Sequence, residues 1–147
     1  VRWSPNEYRL TALERLHDAD AARRAERFGV GMYLSGVAAE CMLRAYHHDD
    51  RPFDERHDIV QLFQACDLER LGDDARRLLR GPILTIQMLW RNDLRFAHEE
   101  MIRLHLHRTR LDRNVHREAN PVKVKTVELY NACYQVVSLG ESRWDLN

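Results

Sequence analysis

Apolar residues recur at three-and-four spacing from one end of the chain to the other, while runs of β-branched residues in period two are few. This pattern predicts an all-α protein, an up-and-down bundle of about five helices forming a single domain over residues 1–147. The first helix opens with Ser4-Pro5-Asn6-Glu7, an N-cap serine, a proline at the first helical position and a glutamate three residues after the cap. Tyr8, Leu13 and Leu16 then face the core. A second helix is expected to start near Asp18 or Asp20 and to run to about His47, through Phe28, Met32, Leu34, Val37, Cys41, Met42 and Tyr46. Its Gly29, Gly31, Ser35 and Gly36 are poor helix formers, so the stretch depends on tertiary packing. Their expected use is to let a neighbouring helix approach closely.

The segment His48-Asp49-Asp50-Arg51-Pro52 predicts a polar loop with a proline stop. Asp58 can cap a third helix holding Ile59, Val60, Leu62, Phe63 and Cys66, followed by a short helical piece from Ala75 to Leu79. Gly81-Pro82 is expected to reset the chain before a fourth helix of Ile83, Leu84, Ile86, Met88, Leu89 and Trp90, apolar on most sides and so central or buried in an interface. Helical character returns from Ala97 to about Arg108. Polar connections follow at Asp112-Arg113-Asn114 and Asn120-Pro121, and a last helix runs from Val122 through Val137 to an end near Gly140.

Composition narrows the function classes. The 147 residues carry 23 Lys+Arg and 23 Asp+Glu, so zero net charge argues against a broad basic surface for nucleic acid or membrane. Only Lys123 and Lys125 are lysines; the other basic residues are arginines, suited to phosphate or carboxylate, although a biased genome gives the same excess. No stretch reaches the ~20 apolar residues of a membrane span and the first residues lack a signal-peptide core, so a cytoplasmic protein without a membrane partner is expected. Cys41, Cys66 and Cys133 are odd in number, far apart and set in apolar patterns, as expected of reduced, mostly buried thiols.

The candidate chemistry lies in Trp90-Arg91-Asn92-Asp93-Leu94-Arg95-Phe96-Ala97-His98. If this segment is helical, Arg91, Arg95 and His98 fall at i, i+4 and i+7 on one face, the outer two ~10 Å apart. Arginines bind phosphate oxygens bidentately and a histidine can move a proton near neutrality, a minimal set for RNA cleavage without metal. The alternative is a structural ion-pair cluster in which Asp93 and Glu99 hold the arginines against the bundle. Glu40 could orient Arg91 or Arg95, or simply pair with Arg44 one turn along its own helix. His57 is expected to cap or pack at a helix start. Neither His47-His48-Asp49-Asp50 nor His105 with His107 has the spacing of a metal site, so no metal or other cofactor is expected. The arginines at 76, 77 and 80, and at 103, 108, 110, 113 and 117, read mostly as solvated faces, with an RNA footprint as the alternative.

Three segments, in order, resemble the HEPN family (higher eukaryote and prokaryote nucleotide-binding), small all-α domains of four to five helices. Tyr33 to Ala45 is similar to the family's second-helix pattern of small residues, a glutamate, then apolar-apolar-basic. His57 to Leu62 resembles its His-to-Leu start of the third helix, and Trp90 to Phe96 its Trp-to-Arg-Tyr segment, with Phe96 in place of tyrosine. The resemblance spans about residues 4 to 144. Ribonuclease members carry an arginine, a polar residue, then four to six residues to a histidine, which Arg91, Asn92 and His98 match. The resemblance thus implies Arg91 as phosphate and transition-state ligand, Asn92 as positioner and His98 as general acid or base, with Arg95 and Glu40 in support. It also implies a homodimer whose two copies form one cleft, as in toxin–antitoxin or defence ribonucleases. Members of the Trp-to-Arg-Tyr branch without nuclease activity imply the other reading, a module that binds a nucleotidyltransferase partner or a nucleotide.

Overall fold

A computed structural model describes residues 2–49, 51 and 56–145. Seven α-helices and one 3₁₀ turn make up the regular structure among these residues: α1 Pro5–Arg24, α2 Phe28–Ala45, α3 Ile59–Gln64, α4 Leu68–Leu71, α5 Ala75–Leu89, the turn Asn92–Phe96, α6 Glu99–Arg108 and α7 Pro121–Trp144. The all-α class is as the periodicity predicts. Among the described residues the β-pairing is a single isolated bridge, between His47 and Cys66.

The start of α1 follows from its first four residues: the Ser4 side chain accepts from the Glu7 N–H and the Glu7 carboxylate accepts from the Ser4 N–H. Its end does not lie at Asp18 or Asp20. These carboxylates pair along the helix instead, Asp18 with Arg15 at 3.2 Å and Asp20 with Arg24 at 2.8 Å, and so prolong it. The reversal comes at Ala25–Arg27, where Glu26 takes a positive φ of 59°. The returning α2 then lies close against α1. A side-chain carbon on Gly31 would stand 3.4 Å from the Arg23 nitrogen and 3.6 Å from the Ala19 carbonyl oxygen, ordinary contact distances, so the packing of α2 on α1 does not itself require glycine at this position.

Helix α2 is central, packing on α1, α3, α6, α7 and the 3₁₀ turn, and twelve of its eighteen residues are buried. Asp58 caps α3 as predicted, accepting from the Gln61 N–H at 3.1 Å. The polar loop expected at 48–52 lies partly outside the described residues, at Asp50 and Pro52.

Two further helix boundaries differ from expectation. Gly81-Pro82 does not break the chain; α5 is one helix with Pro82 inside it. The missing proline N–H and ring crowding cost about 3 kcal/mol in a helix interior. The unbroken buried stripe Ala75, Leu79, Ile83, Ile86 and Leu89 offsets that cost, and Leu84 and Met88 remain exposed on the opposite side. Likewise α7 passes Gly140 and ends at Trp144. Gly140 acts here as a packing notch, since a side-chain carbon would meet Met42 Cγ at 2.4 Å, and its carbonyl accepts from the Tyr46 hydroxyl at 2.6 Å. No described helix is long and apolar enough to cross a membrane. Cys66 and Cys133 are buried and Cys41 half-buried, all as free thiols.

Candidate functional site

The Arg91 segment takes its shape from its two apolar residues. Trp90 closes α5 in extended conformation, and its indole fills the space that a side chain on Gly36 would occupy. The ring is 5% exposed, and its Nε1–H donates to the Tyr33 carbonyl at 3.1 Å. Leu94, the buried residue of the 3₁₀ turn, is the second anchor. Between and beyond these anchors, Arg91, Asp93, Arg95 and Phe96 are left on the surface.

Of the two courses the sequence leaves open for this segment, helix or bend, the chain takes the bend. Arg91 is extended (φ −136°, ψ 143°), residues 92–96 form the tight turn, and Ala97 is extended again, so Arg91, Arg95 and His98 do not share a continuous helix. Burying the bulky Trp90 indole against α2 turns the chain out of α5, and a helix cannot pass through that bend. Asn92 opens the turn, half-buried. Arg95 lays its guanidinium over the Phe96 ring, 4.7 Å from the centroid, with Phe96 itself 74% exposed.

Arg91 donates to Asp93 Oδ2 at 2.7 Å, and both side chains are more than half exposed. A solvent-screened pair of this kind is worth about 0–1 kcal/mol, so an incoming phosphate can displace Asp93. His98 is the N-cap of α6: its Nδ1 accepts from the Met101 N–H at 3.4 Å. In the neutral ring the proton therefore sits on Nε2, and protonating Nδ1 would break the cap.

The cleft beside Arg91 holds about 300 Å³. Leu94, Phe96, Ala97, Met101 and Ile102 give it apolar walls, and its polar groups are Arg91, Asp93 and His105. Thus the imidazole brought into a cavity with Arg91 is that of His105, whereas His98 stands outside the cleft lining. Met101 and His105 are one helical turn apart on α6 and share a face, a spacing visible in the sequence once the helix is placed.

Glu40 does not reach Arg91 or Arg95. It is buried in α2, accepts from Arg44 Nε at 2.9 Å, and lies 2.9 Å from His57 Nδ1 through either oxygen. A carboxylate only accepts, so His57 donates from Nδ1. The His57 ring stands edge-on to Trp90, with centroids 6.4 Å apart. A cavity of about 300 Å³ lies here too, lined by Arg56, His57, Asp58, Ile59, Gln87 and Trp90. The i,i+4 alternative for Glu40 and Arg44 thus holds, with His57 as a third member. Its signal in the sequence was a carboxylate and an arginine one turn apart within an otherwise apolar helix.

His107 bonds Asp112 Oδ2 at 3.1 Å, away from His105, and no group of three or more potential metal ligands occurs among the described residues. The arginines at 76, 77, 80, 103, 108, 110, 113 and 117 are exposed. Compared with family models, curated proteins and solved structures, the chain matches none.

Proposed function

We propose that this protein binds an RNA phosphodiester at the Arg91 cleft and cleaves it without metal, acting as a homodimer of HEPN type in a toxin–antitoxin or defence setting. The observation that carries the reading is the placement of a weakly engaged arginine at a cleft with an apolar wall and an imidazole. Arg91 binds the phosphate oxygens and stabilises the charge that builds on them as the 2′-hydroxyl attacks phosphorus. Asn92 follows Arg91 at the start of the turn, where the resemblance makes it the positioner, and Arg95 stacked on Phe96 adds positive charge beside the cleft. The resemblance gives proton transfer to His98, but the α6 cap engages that ring's Nδ1.

This cap contact favours a second reading, a non-catalytic module in which the same cleft holds a nucleotide or a nucleotidyltransferase partner docks beside it. One experiment separates the two. Purified protein is incubated with single-stranded RNA in EDTA, beside Arg91→Ala. Cleavage by the parent protein, lost in the variant with folding intact, supports the ribonuclease reading. No cleavage, with nucleotide binding that depends on Arg91, supports the second.

A further inference from the structure

Resting on the ribonuclease reading, we infer that the proton-transfer residue of the Arg91 cleft is His105 and that the exposed Phe96 ring receives the neighbouring base. Two imidazoles lie near Arg91 in sequence or in space, and their bonding differs. His98 spends its Nδ1 lone pair on the α6 cap and does not line the cleft. His105 is half-buried in the wall of the cleft, and neither ring nitrogen has a hydrogen-bond partner among the described residues. It alone of the two has both a free lone pair and the position to use it.

The remaining lining suits one nucleotide unit. Phosphate oxygens go to Arg91, which exchanges Asp93 for them. A base lies on Phe96, a flat apolar ring already backed by the Arg95 guanidinium, with Met101 beside it. Leu94, Ala97 and Ile102 form the apolar side of the cleft. The chemistry closes on these groups alone. The 2′-hydroxyl gives its proton to His105 as the new O2′–P bond forms. The P–O5′ bond breaks, and the imidazolium returns that proton to the departing 5′ oxygen. The products are a 2′,3′-cyclic phosphate and a 5′-hydroxyl, with no oxidant, reductant or co-reactant consumed.

The test compares His105→Asn, His98→Asn, Phe96→Ala and His107→Asn in two measurements on the full chain. The first is cleavage of a short single-stranded oligoribonucleotide in EDTA, with product ends identified by mass. The second is binding of the 2′-deoxy oligonucleotide of the same sequence, followed by fluorescence anisotropy. Asparagine at position 98 caps a helix as well as the side chain it replaces, so that variant keeps its fold. We expect H105N to lose at least about 100-fold in cleavage, while its deoxy-oligonucleotide binding stays within about threefold of the parent's because Arg91 and Phe96 supply that affinity. H98N stays at least about 10-fold faster than H105N, F96A weakens binding about 10-fold, and the solvent-facing H107N behaves as the parent protein. An active parent with an equally active H105N, or with H98N slower than H105N, overturns the assignment and leaves the ribonuclease reading standing. Unchanged binding by F96A overturns the base platform. A parent protein that does not cleave RNA overturns the ribonuclease reading and this inference with it.

Discussion

Replacing Gly36 by alanine sets two effects of opposite sign against each other. In a helix interior alanine is favoured over glycine by about 1 kcal/mol, so propensity alone predicts a more stable protein. The new carbon, however, would lie 2.0 Å from Trp90 Nε1, 2.1 Å from Cδ1 and 2.2 Å from Cε2, inside the indole ring. That ring is rigid and 5% exposed, so it can only be displaced as a whole. Displacement costs about 1–3 kcal/mol in strain and repacking. Losing the hydrogen bond from Nε1 to the Tyr33 carbonyl costs about 1 kcal/mol more, roughly cancelling the gain in propensity. The net expectation is destabilisation by about 2 kcal/mol, a fall of about 1 M in the urea midpoint. Far-UV circular dichroism and tryptophan fluorescence follow the transition, and the native emission shifts to the red as the indole meets water. Gly81→Ala on α5 is the control: its new carbon has nothing within 4 Å, so only propensity acts, reduced by the following Pro82. A G36A midpoint equal to or above that of the parent would refute the packing argument. The consequence reaches the candidate site, because Trp90 is the anchor from which Arg91 is hung.

Two further outcomes follow from buried chemistry. Glu40→Gln leaves Arg44 buried without its carboxylate, so stability should fall by about 3–5 kcal/mol; a fall below about 1 kcal/mol in chemical denaturation would show that the cluster is not held as described. Burial raises the thiol of Cys41 to about 11 and that of Cys66 to about 12, and raises Cys133 further. The folded chain keeps these protons where the unfolded chain loses them. Their contribution is therefore full below pH ~8.5 and is lost as pH rises through the folded values, so the urea midpoint should be lower at pH ~10.5 than at pH ~8. Equal midpoints would contradict this.

What could be read in the chain and what could not divides by range. Local rules gave the Ser4 capping box and the Asp58 cap, because a cap is a contact between residues two or three apart. The same rules misplaced the start of α2, since Asp18 and Asp20 cap and pair equally well in isolation, and the choice fell to their arginine neighbours. They also broke α5 at Pro82 and stopped α7 at Gly140, where long-range packing outweighs local preference. The residue types at the candidate site were visible in Arg91, Asn92, Arg95 and His98, and their grouping was not.

The sequence by itself determined the helical class, through apolar periodicity, and the starts of α1 and α3, through the short-range hydrogen bonds of Ser4 and Asp58. Only the tertiary structure decided that the chain leaves the helix at Trp90, that Glu40 serves Arg44 and His57, and that His105 shares a cleft with Arg91. The physical reason is that each of these depends on volume and charge met across the fold. The notch at Gly36 is more than fifty residues from the indole that fills it, and no local pattern records such a pairing.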